Sequence, residues 1–206
     1  TLGIAEGDQP NLGHNLKFMF VHQLGNMYTR YLLWNFIGRE SDLEGAYAIS
    51  NPFEDKSKLP EILRTNKGRN NYFYLPIIMV FLGFYLLYRK NEKDFLVTIL
   101  MFVLSGIALA VYLNSPPTEP RERDYIYVGS FYFLAIWGGL GVMQIAEWLT
   151  KLIKAPQVRW TLLTVFSFSA PVILAQQNWD DHDRSGRYHQ IDFAKNLLNS
   201  CAPNAI

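Results

Sequence analysis

The sequence predicts an all-α polytopic membrane protein, a bundle of about four transmembrane helices with an amphipathic helix in the membrane interface. Half of its 206 residues are hydrophobic and 15% are aromatic. The charged residues gather in short clusters, which are separated by long stretches with almost no charge. The near-zero mean hydropathy is therefore an average over two different kinds of segment, one of which is apolar enough for a bilayer.

Four apolar runs predict the transmembrane helices, and they cover residues 72–88, 95–113, 125–149 and 160–175. A hydrocarbon core of about 30 Å needs roughly 17–25 residues per helix, and the second and third runs fit that length well. The first and fourth runs are short and contain Pro76 and Pro171. A buried helix in a soluble domain is the alternative for these two, but four such runs in succession favour a membrane.

The remaining segments complete the predicted domain organisation. Residues 1–71 form an outer loop region, residues 72–175 form the bundle, and residues 176–206 begin a soluble outer domain, with a helix over 187–199. Residues 15–37 predict a helix that lies in the interface or packs on the bundle, with a poor fifth spanning helix as the alternative. Its apolar positions are Leu16, Phe20, Leu24, Met27, Tyr31 and Trp34, and its polar face holds His22, Asn26, Thr29 and Arg30.

Basic residues in the short loops predict the orientation. Three of them lie between the first and second runs, and three lie between the third and fourth. Loops rich in Lys and Arg stay in the cytoplasm, so segments 114–124 and 176–206 are expected to face outside. The expected location is the inner or plasma membrane of a bacterium, or the endoplasmic reticulum membrane of a eukaryote. The six residues are Arg89, Lys90, Lys93, Lys151, Lys154 and Arg159.

Composition and motifs exclude several classes of function. The net charge is +1 with no Lys/Arg block, so no nucleic-acid partner is expected. Cys201 is the single cysteine, which excludes an internal disulfide and a CxxC site. Neither a P-loop nor a GxSxG motif is present. Because the sequence starts at Thr1 rather than at Met, it is interpreted as an internal piece of a longer protein.

The first candidate site is the bend PPTEPRERDY, residues 116–125, which lies between two apolar runs. Thr118 and Pro120 suit the start of a helix, and acidic residues are favourable there. Arginines are mildly unfavourable at a helix start, but their planar guanidinium groups suit the binding of phosphate or carboxylate. The bend is either a spacer or a binding site, whose candidate residues are Arg121, Glu122, Arg123 and Asp124.

The second candidate site is NWDDHDRSGRYH, residues 178–189, just beyond the fourth run. We interpret it as a polar surface beside the membrane, with Asp181, Asp183 and Arg184 as candidate substrate-binding residues. Its acids and His182 could also bind a divalent cation, but the spacing is not that of an EF-hand, so no metal is expected. A solvated linker is a further alternative. The stretch NFIGRESDLEG, residues 35–45, is interpreted as a solvated loop.

Several long strings in the chain resemble a known family. They are PPTEPRERDYIYVGSFYFLAIWGGLG, NWDDHDRSGRYHQIDFAKNLLNSCAPNAI, NKGRNNYFYLP and MYTRYLLWNFIGRESD. They are similar to the C-type, polyprenyl-phosphate-sugar-dependent membrane glycosyltransferases that include the plexin and receptor protein O-mannosyltransferase and its bacterial relatives. The resemblance covers nearly the whole chain, and its RERDY and WDDHDRSGRY strings are fairly specific.

The resemblance implies a GT-C-like fold with its active site at the outer face. The implied donor is a polyprenyl-phosphate sugar such as dolichyl-phosphate mannose, the acceptor is a protein, and no cofactor is needed. The catalytic acid of such enzymes lies in the first outer loop, so the base is expected upstream of Thr1. Arg121 and Arg123 are then expected to bind the donor phosphate. The alternative is a non-catalytic membrane scaffold or a transporter, although Glu147 is the only charge within the apolar runs.

Overall fold

The computed structural model of the protein is mostly helical and describes residues 9–43, 45–117, 123–183 and 185–202. Two π-helical segments, Phe18–Thr29 and Leu104–Ala108, continue one α-helix into the next, so that α1 and α2 form one N-terminal helix. Strands β1 (Gly38–Arg39) and β2 (Asn70–Asn71) pair antiparallel. The α-helices are α1 Leu12–Lys17, α2 Arg30–Phe36, α3 Glu61–Arg64, α4 Leu75–Lys90, α5 Glu92–Val103, α6 Leu109–Leu113, α7 Val128–Leu152, α8 Pro156–His182 and α9 His189–Asn199.

In the described ranges, three helices are long and apolar enough to cross a membrane: Glu92–Leu113, Asp124–Leu152 and Pro156–Asp180. They coincide with the second, third and fourth predicted runs, which confirms an all-α membrane protein. Helix α4 occupies the first run but has only 16 residues. At 1.5 Å per residue it is about 24 Å long, less than a typical hydrocarbon core. The count of four spanning helices and the orientation stay predictions.

Helix α8 is longer than the sequence predicts. It continues through Pro171 and ends at His182, beyond the expected end at residue 175. The predicted border between the bundle and an outer domain therefore falls inside a continuous helix. A proline inside a helix removes one backbone hydrogen bond, but helices in apolar surroundings tolerate this loss.

The tightest contact of the bundle joins α4 to α7 through glycines. A Cβ atom at Gly83 would lie 1.7 Å from the Trp137 carbonyl oxygen, and one at Gly141 would lie 2.2 Å from the Met79 carbonyl oxygen. The two backbones therefore touch, as small residues allow in membrane helices. Beside this contact, Trp137 is buried and its indole N–H donates to the Thr98 hydroxyl at 3.1 Å.

The N-terminal helix packs on this bundle with a face that matches the predicted one only in part. Met27 and Tyr31 are buried as expected, but Gln23 and Arg30 are buried as well, and Phe20 is 59% exposed. The reason is the π-helical segment, whose hydrogen bonds span one more residue than those of an α-helix, so that a 3.6-residue period does not describe it. Arg30 is accommodated by stacking on the rings of Tyr31 and Trp34, at 4.9 and 5.0 Å from their centroids.

We expect Gly83→Ala to destabilise the protein, because the added methyl group would overlap the α7 backbone. Overpacking of this kind lowers the free energy of unfolding by about 1–3 kcal/mol. Thermal unfolding in detergent micelles, followed by tryptophan fluorescence, measures the change. The matched control is Gly139→Ala, since nothing lies within 4 Å of a Cβ atom there. Equal effects of the two substitutions would contradict the α4–α7 contact.

Candidate functional site

A polar cavity of about 250 Å³ lies where three separate sequence clusters meet at one end of the bundle. The bend contributes Asp124, the stretch after the fourth run contributes Asn178 and His182, and the stretch 35–45 contributes Asn35 and Arg39, of which Arg39 belongs to β1. We call this site the polar cavity. Its lining residues are Trp34, Asn35, Arg39, Asn70, Tyr72, Asp124, Asn178 and His182.

Asn178 connects α8 to strand β2 and forms part of the cavity wall. Its side-chain oxygen accepts hydrogen bonds from the Asn70 amide at 2.9 Å and from the Tyr72 hydroxyl at 3.0 Å. The preceding residue, Gln177, accepts a bond from the Asn71 backbone N–H at 3.1 Å. We call these three bonds the α8–β2 clamp. The backbone carbonyl of Asn178 also bonds to Nδ1 of His182 at 3.0 Å, which fixes the imidazole ring at the end of α8.

Arg39 supplies a guanidinium group with a fixed orientation. Its Nε donates to the Gly68 carbonyl oxygen at 3.0 Å, and the group lies 5.5 Å from the centroid of the Trp34 ring. Residue 68 must be small, because a Cβ atom there would lie 2.9 Å from Nη2 of Arg39 and 2.7 Å from Cβ of Asp42. A planar cation held in this way suits an anionic oxygen of a ligand.

The remaining lining groups suit an oxygen-rich ligand. Among the described residues, Asp124 is the one carboxylate in the wall, and amide side chains supply both donors and acceptors. Sugars and phosphate esters present the oxygens that such a set recognises. In the described part of the chain, no group of three or more His, Cys, Asp or Glu residues is arranged to hold a metal ion.

The structure brings only some of the predicted site residues to this cavity. Asp124 lines it, at the start of the 3-10 turn Asp124–Tyr127, and Arg123 is the exposed residue before that turn. Asp181 belongs to the last turn of α8. Three other predicted residues lie outside the part of the chain that the structure describes, and they are Arg121, Glu122 and Arg184.

Asp183 follows α8 and lies beside the polar cavity rather than in its wall. It lines a larger cavity of about 570 Å³, which shares Asn178 and His182 with the polar cavity. Hydrogen bonds from the Ser185 side chain and backbone N–H lower the pKa of the Asp183 carboxyl, and the charges of Lys67 and Arg187 lower it further. Asp183 therefore remains ionised to a lower pH than a typical aspartate, because a local turn stabilises its charged form.

Several cavity residues were not identified from the sequence. Arg39 and Asn35 were assigned to a solvated loop, and Asn70 and Tyr72 were given no role. Their signal was present in the NKGRNNYFYLP and MYTRYLLWNFIGRESD strings, which contain consecutive amide and aromatic side chains. Polar residues in a loop become a site only where the fold brings them together, and single-sequence patterns do not contain that information.

An apolar groove of about 290 Å³ lies between α2, α4, α5 and α7. The N-terminal helix borders both depressions, since Leu32 lines the groove while Trp34 and Asn35 line the polar cavity. All side chains that line the apolar groove are hydrophobic, so the groove suits a hydrocarbon chain. They are Leu32, Ile77, Val80, Phe81, Phe84, Ile99, Phe102, Val103, Leu134 and Trp137.

Comparisons of the chain with protein-family models, with curated proteins and with solved structures find no match. A function is therefore proposed from the polar cavity, the apolar groove and the residues that line them.

We expect Asn178→Ala to loosen the wall between α8 and β2. The substitution removes the side-chain oxygen that accepts from the Asn70 amide and the Tyr72 hydroxyl, at a cost of about 1–2 kcal/mol, which is a roughly 5–30-fold change in local opening. Hydrogen exchange in lipid nanodiscs should show the backbone amides of residues 70–72 exchanging faster by about this factor. Gln176→Ala is the control, because Gln176 is exposed on the same helix. Unchanged exchange in the Asn178 variant would contradict the clamp.

Proposed function

We propose that the chain is part of a membrane glycosyltransferase that transfers a mannose-like sugar from a polyprenyl-phosphate donor to a protein at the outer membrane face. One observation carries the proposal: a polar cavity and an apolar groove border the same helix at the end of a membrane bundle. The family resemblance supports it independently, because the RERDY and WDDHDRSGRY strings supply Asp124 and His182 to the cavity wall.

The lipid part of such a donor requires the apolar groove. A polyprenyl-phosphate sugar joins a hydrocarbon chain to a polar headgroup through a phosphate, so its two halves need different surroundings within a few ångströms. Leu32 lines the groove within the same helical turn as Trp34 and Asn35 in the polar cavity. The part of the lipid's hydrocarbon chain next to the phosphate packs in the apolar groove, while the headgroup enters the polar cavity.

The sugar-phosphate headgroup binds to the charged and amide residues of the polar cavity. Asp124 accepts hydrogen bonds from sugar hydroxyls, and the amides of Asn35 and Asn70 complete the recognition of the ring. Arg39, with Arg123 from the bend, faces the phosphate and stabilises the negative charge that develops as the phosphate leaves. In this proposal the cavity residues bind and orient the donor, and none of them is assigned to the activation of the acceptor hydroxyl.

The test is sugar transfer by the full-length protein in membranes, from polyprenyl-phosphate mannose to protein. Asp124→Asn and Arg39→Lys each weaken a charge-assisted contact, which contributes roughly 1.5–3 kcal/mol, so transfer should fall about tenfold to a hundredfold. Arg123→Lys should have a smaller effect of the same sign, because Arg123 is exposed. The control is Arg159→Lys in the first turns of α8, at the opposite end of the bundle, where transfer should be unchanged.

Two results would contradict the proposal at different levels. Normal transfer by both the Asp124 and Arg39 variants, at normal expression, would remove the polar cavity from the donor site. Absence of transfer by the wild-type protein with mannose, glucose and N-acetylglucosamine donors would refute the glycosyltransferase function itself.

A further inference from the structure

A third cavity at this end of the bundle, which we call the loop cavity, has a volume of about 300 Å³ and a different lining from the polar cavity. It combines aromatic rings, amide side chains and charged groups, and it lies against the segment that joins β1 to α4. That mixture is typical of a binding site and not of a packing defect. Its lining residues are Asn51, Pro52, Phe53, Glu54, Lys56, Arg69, Asn71, Phe73 and Gln177.

The loop cavity and the polar cavity lie on opposite faces of one thin wall. Consecutive side chains of a strand point to opposite faces, and Asn70 lines the polar cavity while Asn71 lines the loop cavity. On α8, Asn178 belongs to the polar cavity and Gln177 to the loop cavity. The α8–β2 clamp therefore builds both sites at once.

The loop that forms one side of the loop cavity is anchored directly before Phe53. The Tyr74 hydroxyl donates to the carbonyl oxygens of Ile49 and Ser50, at 3.1 and 2.7 Å. The Asn71 amide donates to the Pro52 carbonyl oxygen at 2.7 Å. This anchored loop nevertheless leaves the Phe53 side chain 83% exposed. An exposed phenyl ring on a rigid support is pre-organised for a partner.

Backbone strain places a second phenyl ring beside the first. Phe73 and Tyr74 have φ angles of +53° and +57°, and each bulky residue in this left-handed region costs roughly 1–2 kcal/mol. The Asn71 side chain helps to hold this conformation by accepting the Phe73 N–H at 2.9 Å. As a result the Phe53 and Phe73 rings lie 6.0 Å apart at the cavity. Strain that is retained in this way is more frequent at functional sites than elsewhere.

The charges of the loop cavity favour a ligand with acidic character. Arg69 is nearly buried, with 8% of its side chain exposed, and it pairs with Glu54 at 2.9 Å. Lys56 adds a second cation, so the charged lining residues have a net charge of about +1. Hydrocarbon is disfavoured by the charges, and a small inorganic ion makes no use of two phenyl rings. A polypeptide segment presents what the lining complements: backbone amides, apolar side chains and carboxylates.

We propose that the loop cavity binds the protein acceptor, with an apolar side chain against Phe53 and Phe73 and an acidic side chain beside Lys56 and Arg69. The inference rests on the proposed glycosyltransferase function and locates its second substrate. An extended peptide advances about 3.3 Å per residue, so the accepting Ser or Thr, which enters the polar cavity, lies only a few residues along the peptide from the apolar residue.

The test measures peptide binding without a donor, so that it does not depend on transfer. Fluorescein-labelled decapeptides, with one Ser and with Phe and Asp a few residues away, are titrated with the full-length protein in lipid nanodiscs. Phe53→Ala and Phe73→Ala should each weaken binding about tenfold, since each removes most of a buried phenyl contact. The control is Phe193→Ala on α9, a phenyl ring that is 71% exposed. Lys56→Glu should reverse the preference for Asp over Lys in the peptide.

The outcomes separate this inference from the proposed function. Peptide binding that depends on Phe53 and Phe73, in a protein with no sugar transfer, supports a peptide-binding site but contradicts the glycosyltransferase and with it the role of acceptor. Transfer with an unchanged acceptor KM in both phenylalanine variants overturns the acceptor site and leaves the enzyme. Weaker contact of the loop with the lipid surface in the Phe53 variant, with peptide binding unchanged, identifies a membrane contact and also overturns the acceptor site. Binding of α-mannobiose in place of every peptide shows a glycan site and overturns it as well.

Discussion

The hydrogen bonds of the α8–β2 clamp are the constraint on which the functional end of this protein depends. The apolar part of α8 contacts α7 but has no fully buried residue in its spanning window, so side-chain packing fixes this helix to the bundle only in part. Asn178 and Gln177 complete the attachment at its polar end, through bonds to Asn70, Tyr72 and Asn71. Since two cavities use these residues as walls, both sites exist only while the clamp is closed.

The rest of the bundle provides a rigid base for that end. Contact between the α4 and α7 backbones at Gly83 and Gly141 leaves no space for sliding. The N-terminal helix is fixed to the same base, because Phe36 packs with Val80, Leu134 and Trp137. Tyr28 adds a buried hydrogen bond to Ser130. A rigid base of this kind suits a site whose polar side chains must keep fixed positions.

Much of the fold could be predicted from the sequence, because burial in a bilayer imposes a strong compositional signal. Uninterrupted apolar runs predicted the α5–α6 helix, α7 and most of α8. The extension of α8 to His182 was missed, since polar residues at a helix end have the same composition as a loop. Arg30 was assigned to a polar face because a π-helical segment changes the period on which such assignments depend.

The candidate site was predictable only in part, for a different physical reason. Asp124 stood out because charges between two apolar runs are conspicuous in any membrane sequence. Arg39 and Asn70 could not be recognised, because amide and guanidinium side chains are common in loops of mixed composition and give no sequence signal of a site. Their importance comes from long-range hydrogen bonds and from the left-handed backbone at Phe73 and Tyr74, which bulky residues adopt rarely enough that no sequence pattern indicates it.

The most direct measurement of the central claim is chemical cross-linking between the bend and the end of α8. Cys201 is the single cysteine of this sequence, so Cys201→Ser removes its native thiol, and any linked peptide pair is assigned by mass spectrometry. Cysteines are then introduced by Asp124→Cys and His182→Cys, and the protein in native membranes is treated with a short bismaleimide. Because both residues line the polar cavity, we predict efficient cross-linking, detected as a linked peptide pair. Cross-linking no better than that of the control pair Asp124→Cys and Trp160→Cys, at the far end of α8, would contradict the account.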